Sequence, residues 1–219
     1  MPFDFAQARE NMIENDVRTN DVTDRRLISA MRAVPREKFV PVQTRELAYG
    51  GLPIAVGHGR YLLDPRSFAK LVQAGELAGS ESVLDIGGAT GYSAAVLARL
   101  ANRVVAVEQD EALARAAETN LADLAATNVA IVRASLTAGA PDRGPYDVIL
   151  LNGMIEQLPG SLTAQLREGG RLLAILAQTG RLGRAMLFVR SAGAVARRAI
   201  FDATVPRLPG FEHAKSFVF

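Results

Sequence analysis

The chain reads as an α/β fold, a mostly parallel seven-stranded sheet with helices on both faces, and three observations predict it. Val83-Leu84-Asp85-Ile86-Gly87-Gly88-Ala89-Thr90-Gly91-Tyr92 is a short apolar run ending in an acid, then a glycine-rich turn, then a helix-like stretch to Leu100. That order is how a parallel sheet builds a nucleotide pocket at the carboxyl end of a strand. The next apolar run, residues 103–108, ends in a second acid, Glu108. From residue 67 onward, segments of helical and strand-like pattern alternate, the rhythm of a parallel sheet.

Before that rhythm begins, residues 4–34 look helical in two pieces. The first places Phe5, Ala8, Met12 and Ile13 at helical spacing. The second runs over 24–34 behind the cap candidates Asp21 and Thr23, carries Leu27, Ile28 and Met31 on one side, and is closed by Pro35. Residues 35–66 look irregular, with four prolines and Gly57-His58-Gly59, and read as an arm over the mouth of the sheet. The later elements are expected as helix 67–78, strand 83–87, helix 91–101, strand 103–108, helix 110–125, strand 129–134, strand 146–152, helix 159–166 and strand 170–177. Two further strands, 184–190 and 196–203, turn around Gly193 with no room for a helix between them, so the sheet ends in an antiparallel hairpin. Residues 1–66 are therefore expected as a helical extension and substrate-side arm, and 67–219 as the ligand-binding domain, in one compact unit.

Composition narrows the chemistry. With 219 residues the chain suffices for one sizeable domain. There is no cysteine, which removes thiol catalysis, disulfides and thiolate zinc sites together. The two histidines, His58 and His213, lack partners at metal-ligand spacing, so no metal is expected. A formal charge of +2 without a long basic run gives no support for nucleic-acid binding. The N-terminus resembles neither a signal peptide nor a transit segment, and no stretch approaches a membrane span, so a cytoplasmic location without membrane contact is the expectation.

The glycine turn does not suit a dinucleotide. A pyrophosphate fingerprint spaces its glycines as G-x-G-x-x-G, whereas here Gly87, Gly88 and Gly91 follow Asp85 at the mouth. A carboxylate there repels phosphate and suits an ammonium, while Glu108 can accept from both hydroxyls of a ribose. S-adenosyl-L-methionine has the ammonium and the ribose and no phosphate. The plainer alternative is a glycine turn that only joins strand to helix. Tyr92 stands where it could touch a cofactor or serve as a packing aromatic, and Asn152 ends its strand beside the same crevice.

The chain as a whole resembles the protein-L-isoaspartate O-methyltransferase family. The resemblance rests on Met12-Ile13-Glu14-Asn15-Asp16-Val17-Arg18, Met31-Arg32-Ala33-Val34-Pro35-Arg36-Glu37-Lys38-Phe39-Val40-Pro41, Ala48-Tyr49, Leu52-Pro53-Ile54 and Gly57-His58-Gly59. It continues through the glycine turn, Val107-Glu108 and the Gly169-Gly170-Arg171 stretch, covering roughly 7–175. It implies a Rossmann-like class I methyltransferase fold with S-adenosyl-L-methionine as methyl donor and S-adenosyl-L-homocysteine as product. The acceptor it implies is the carboxylate of isoaspartyl residues in proteins or peptides, whose repair that transfer starts. Such a carboxylate is already ionised at neutral pH, so no side-chain base is required, and no catalytic side chain is assigned.

The departures from the family pattern are local. Where the family usually runs Gln-Thr-Ile-Ser-Gln-Pro, this chain has Arg60-Tyr61-Leu62-Leu63-Asp64-Pro65, so Leu63 replaces the serine that touches the substrate carboxylate. The family's Gly-Asp-Gly, whose acid takes the adenine amino group, becomes Ala134-Ser135-Leu136. The loop at 152–156 and the segment 201–211 also differ. Cofactor contacts are expected from Asp85, Gly87, Gly88, Gly91, Tyr92, Glu108, Ser135 and Leu136, and substrate-side contacts from His58, Arg60, Tyr61, Leu63 and Asn152. The readings left open are an isoaspartyl methyltransferase, a methyltransferase of the same fold with another acceptor such as a small molecule, and a non-catalytic S-adenosyl-L-methionine-binding homologue.

Overall fold

Acidic caps open the N-terminal helices. Asp4 accepts from the Gln7 amide to start α1 (Phe5–Met12), satisfying one of the donors that a helix start leaves free. The helix widens into a π-turn over Ile13–Val17 and tightens into a 3₁₀ turn at Arg18–Asn20. The cap of α2 (Arg25–Ala33) is Asp24, which accepts from Arg26 and Leu27, and not the Asp21 or Thr23 that the sequence suggests. This computed structural model describes residues 3–178 and 182–213.

The arm at 35–66 is more ordered than its lack of periodicity implies. Two 3₁₀ turns, Arg36–Phe39 and Val42–Leu47, lead into a hairpin in which β1 (Ile54–Gly57) pairs antiparallel with β2 (Arg60–Leu62). Strands of four and three residues offer too few alternations to register as a pattern. Both turn residues, His58 (φ 53°) and Gly59 (φ 69°), take the left-handed conformation that tight hairpins demand. α3 (Pro65–Ala74) then starts two residues before the expected 67, with Asp64 as its cap and Pro65 in the first turn, where the missing N–H is not needed.

The remaining elements follow the expected alternation: β3 (Ser82–Ile86), α4 (Tyr92–Leu97), β4 (Arg103–Glu108), α5 (Glu111–Asp123), β5 (Val129–Arg133), β6 (Tyr146–Ile155), α6 (Gly160–Thr163), β7 (Leu166–Ala177), β8 (Gly183–Ser191) and β9 (Ala194–Ala203). The seven strands lie in the order β5-β4-β3-β6-β7-β8-β9, the first five parallel and the β8–β9 hairpin antiparallel. β3 is buried at every position, which places both of its faces under cover. Its alternation splits the core. Val83, with Val104 and Val148, faces the cluster built by α1–α5; Leu84 and Ile86, with Val105 and Ile149, face the other side. On that second side the helix expected over 159–166 is a single turn, α6, because β7 begins at Leu166. Loops and the C-terminal segment supply the rest of its cover, through Leu136, Leu208 and Phe211.

Asp110 connects the hairpin to the sheet. It caps α5 by accepting from Ala112 and Leu113, and its Oδ2 lies 2.8 Å from His58 Nδ1. Asp110→Ala is expected to lower stability by about 1 kcal/mol, the usual worth of a cap, readable as a lower urea midpoint with unchanged slope.

Beyond β9, residues 204–211 return across the carboxyl end of β6. The Met154 amide donates to Pro206, the Leu208 amide donates to Met154, and the Phe211 carbonyl accepts from Glu156 and Gln157. Phe217-Val218-Phe219, expected from sequence as a docked edge, lies outside the described residues. No helix among the described residues is long and apolar enough to cross a membrane.

Candidate active site

Three parallel strands bring the site together at their carboxyl ends. β3 delivers Asp85, the neighbouring β4 delivers Glu108, and β6, on the other flank of β3, delivers Asn152. Asp85 is wholly buried. Its two oxygens accept from Ser93 Oγ and Asn152 Nδ2, each at 2.6 Å. Burial pushes its carboxyl up to about 6, against the pull of those two hydrogen bonds, and Glu108 adds to the rise while Arg60 opposes it. Asn152 also donates to the Ile86 carbonyl at 3.1 Å, so one amide ties the ends of β3 and β6.

Glu108 is the most heavily bonded group in the cleft. Oε1 accepts from the amides of Gln109 (2.9 Å) and Asp110 (3.1 Å), and Oε2 from the Ala89 amide (3.1 Å). Arg60 Nη1 then reaches both oxygens, at 2.8 and 2.9 Å, and Arg60 Nη2 donates to the Gly87 carbonyl. Arg60 itself is 4% exposed. A residue assigned from sequence to the substrate side is thus bound to Glu108 and Gly87, two residues assigned from sequence to the cofactor.

The glycine turn is shaped by close approach. Gly87 has φ 70°, and a Cβ there would meet Arg60 Nη2 at 2.5 Å and a Leu208 methyl at 2.8 Å. A Cβ on Gly88 would meet Ser93 Oγ at 2.6 Å and Asp85 Oδ2 at 2.7 Å, so any side chain would break the Asp85–Ser93 contact. Gly91, at φ 95°, caps α4 in the left-handed region.

The other expected residues divide. Tyr61, Leu63, Tyr92 and Asn152 converge, with Arg36 and Ser93, on a cavity of only about 10 Å³. Tyr92 lies buried between Phe39 and Phe68 with the Arg36 guanidinium 4.7 Å above its ring, a packing position. His58 stands apart at the hairpin turn, half-exposed, its ring bonded to Asp110 outside the cleft. Ser135 is exposed and engages Thr137 Oγ1 at 2.9 Å, while the neighbouring Leu136 is buried. Sequence reasoning misses three contributors: Ser93, Arg36 and Leu208. Ser93 is the second residue of α4, and its position two residues after Gly91 is the available signal. Arg36 lies within the 31–41 motif without an assigned role. Leu208 has no local signal at all.

The model of the Protein-L-isoaspartate(D-aspartate) O-methyltransferase (PCMT) family matches residues 7–203. The chain belongs to that family. Protein-L-isoaspartate O-methyltransferase 1 of Rhodopseudomonas palustris (strain HaA2) is 41% identical over 169 residues, 77% of this chain and 69% of the relative. The protein of the same name from Syntrophobacter fumaroxidans is 37% identical over 187 residues, 85% of this chain and 86% of the relative. Among solved structures, a protein-L-isoaspartate O-methyltransferase superposes with a TM-score of 0.79 at 26% identity, over 92% of this chain and 66% of that one. The Plasmodium falciparum PCMT, solved with S-adenosyl-L-homocysteine, gives a TM-score of 0.78 at 18% identity, over 94% of this chain and 98% of that one, a likeness of fold.

The family is S-adenosyl-L-methionine-dependent, and the residue types at Asp85, Gly87, Gly88 and Glu108 are those such a ligand needs. As they stand here, Arg60 and Leu208 lie between them and such a ligand. Both Glu108 oxygens are engaged by Arg60, and Arg60 and Leu208 press against the backbone at Gly87, where a ligand would approach. The separate cavity beside Asn152 and Leu63, of about 10 Å³, has room for about one water.

Proposed function

We propose that this chain is an S-adenosyl-L-methionine-dependent methyltransferase that esterifies the free carboxylate of isoaspartyl residues in proteins or peptides. The observation that carries the reading is the family match over residues 7–203. Supporting it, two acids flank a glycine turn at the ends of adjacent strands, where a ribose and an ammonium would be held. The substrate-side assignments are narrower than the sequence suggests. Tyr61, 38% exposed, has the one hydroxyl among the residues assigned there, Leu63 offers an acceptor no hydrogen bond, and Arg60 and Asn152 are committed to the acids behind them.

The buried Leu63 favours one second reading, an acceptor less polar than an isoaspartyl carboxylate. Labelled-methyl transfer at saturating S-adenosyl-L-methionine decides between the two, with isoaspartyl and aspartyl peptides compared. Turnover confined to the isoaspartyl peptide is expected. Leu63→Ser should raise it about ten- to a hundredfold, the worth of one hydrogen bond to a charged group. No turnover from either protein sinks the isoaspartyl assignment. Turnover by the wild type on an apolar carboxylic acid in place of the peptide would establish the second reading.

A further inference from the structure

We infer that Arg60 is an intramolecular competitor for the cofactor and sets how tightly the cofactor binds. The inference rests on the methyltransferase reading of the same cleft and specifies how its cofactor site is controlled. Glu108 stands at the end of β4, where a ribose diol would seek a carboxylate, and Arg60 Nη1 already bridges both of its oxygens at 2.8 and 2.9 Å. The second guanidinium nitrogen takes the Gly87 carbonyl. Arg60 and Leu208 together occupy the approach to Gly87 that the missing side chain would otherwise leave open. A ligand cannot share this space, so its ribose must first displace the guanidinium. The apparent affinity is then reduced by the fraction of molecules in which Arg60 has left.

The surroundings allow such a departure. Arg60 belongs to a hairpin of two very short strands that pair with each other and not with the seven-stranded sheet. When Arg60 leaves, Glu108 keeps the amides of Ala89, Gln109 and Asp110 as donors, so its carboxylate is not stranded. Removing one partner of a buried ion pair is costly mainly where the survivor has nothing else to bond.

The test is equilibrium binding of S-adenosyl-L-homocysteine to the full chain by calorimetry, wild type against Arg60→Gln. At least tenfold tighter binding by the variant is expected. Equal affinities overturn the competition and leave the methyltransferase reading standing. Binding by neither protein overturns both, because something other than Arg60 would then keep the ligand out. A second measurement needs no variant: hydrogen exchange across residues 54–62 of the wild type, with and without saturating S-adenosyl-L-homocysteine. Displacement of Arg60 should speed exchange in the hairpin on binding, and unchanged or slower exchange there counts against the inference.

Discussion

Asp85→Asn is expected to make the protein about 3 kcal/mol more stable at neutral pH. Burial lifts the Asp85 carboxyl from 3.8 to about 6. Holding a carboxylate that far above its ordinary pKa costs about 3 kcal/mol, since each tenfold change in acidity is worth about 1.4 kcal/mol. Below about pH 4 the group is protonated both folded and unfolded, and it costs nothing. Between about 4 and 6 the folded state holds a proton that the unfolded state has released, so stability falls as pH rises. Above about 6 the full penalty of a buried carboxylate applies. Asparagine cannot ionise, and its geometry suits the site: its oxygen can accept from Asn152 Nδ2 and its amide can donate to Ser93 Oγ, the two present partners. Urea unfolding at pH 4 and pH 7 checks this, with a gain near zero at the lower pH and full at the higher. A variant less stable at pH 7, or a difference independent of pH, would refute it.

How much of this is legible in sequence depends on how local the signal is. The turn after β3 announces itself because the acid, the glycines and the helix start lie within ten residues, and Glu108 because it ends an apolar run. The antiparallel ending follows from connection length, since no helix fits between β8 and β9. Arg60 reads as a substrate-side residue because nothing in a linear chain says that it will fold onto a carboxylate 48 positions away. The hairpin that carries it reads as irregular because its strands are too short to show a period. Leu208 is invisible for a related reason. Its placement against Gly87 depends on backbone hydrogen bonds in which the Met154 amide donates to Pro206 and the Met154 carbonyl accepts from Leu208, and pairing of backbone with backbone leaves no mark on side-chain composition.

The two departures with the largest structural consequence, Arg60 and Leu63, stand three positions apart in and just after β2. Arg60 bonds to both Glu108 oxygens, and Leu63, with no polar side-chain atom, lines the cavity beside Asn152. Both sit in one short segment outside the seven-stranded sheet, where substitutions change a cleft without rebuilding the core.

The residue that anchors this hairpin gives the second large effect: Arg36→Ala should destabilise the protein by about 3–5 kcal/mol. Arg36 is 1% exposed and donates through Nε to the Ala48 carbonyl at 2.7 Å and through Nη2 to the Leu63 carbonyl at 2.6 Å. Its guanidinium also covers the Tyr92 ring at 4.7 Å. Alanine would strand two buried carbonyls and leave a void against Tyr92. Yet the arginine is itself a compromise. Burial lowers its pKa, and among the described residues no carboxylate forms a salt bridge with it and Nη1 has no hydrogen-bond partner. Arg36→Met keeps most of the volume, removes the buried charge and loses the same two hydrogen bonds. It should therefore cost only about half as much as alanine. Guanidinium chloride unfolding of the two variants separates the contributions. Equal losses would mean that the two carbonyl contacts dominate. A methionine variant near wild-type stability would mean that packing on Tyr92 is what matters, and that the charge is retained to fix where Leu63 enters the cleft.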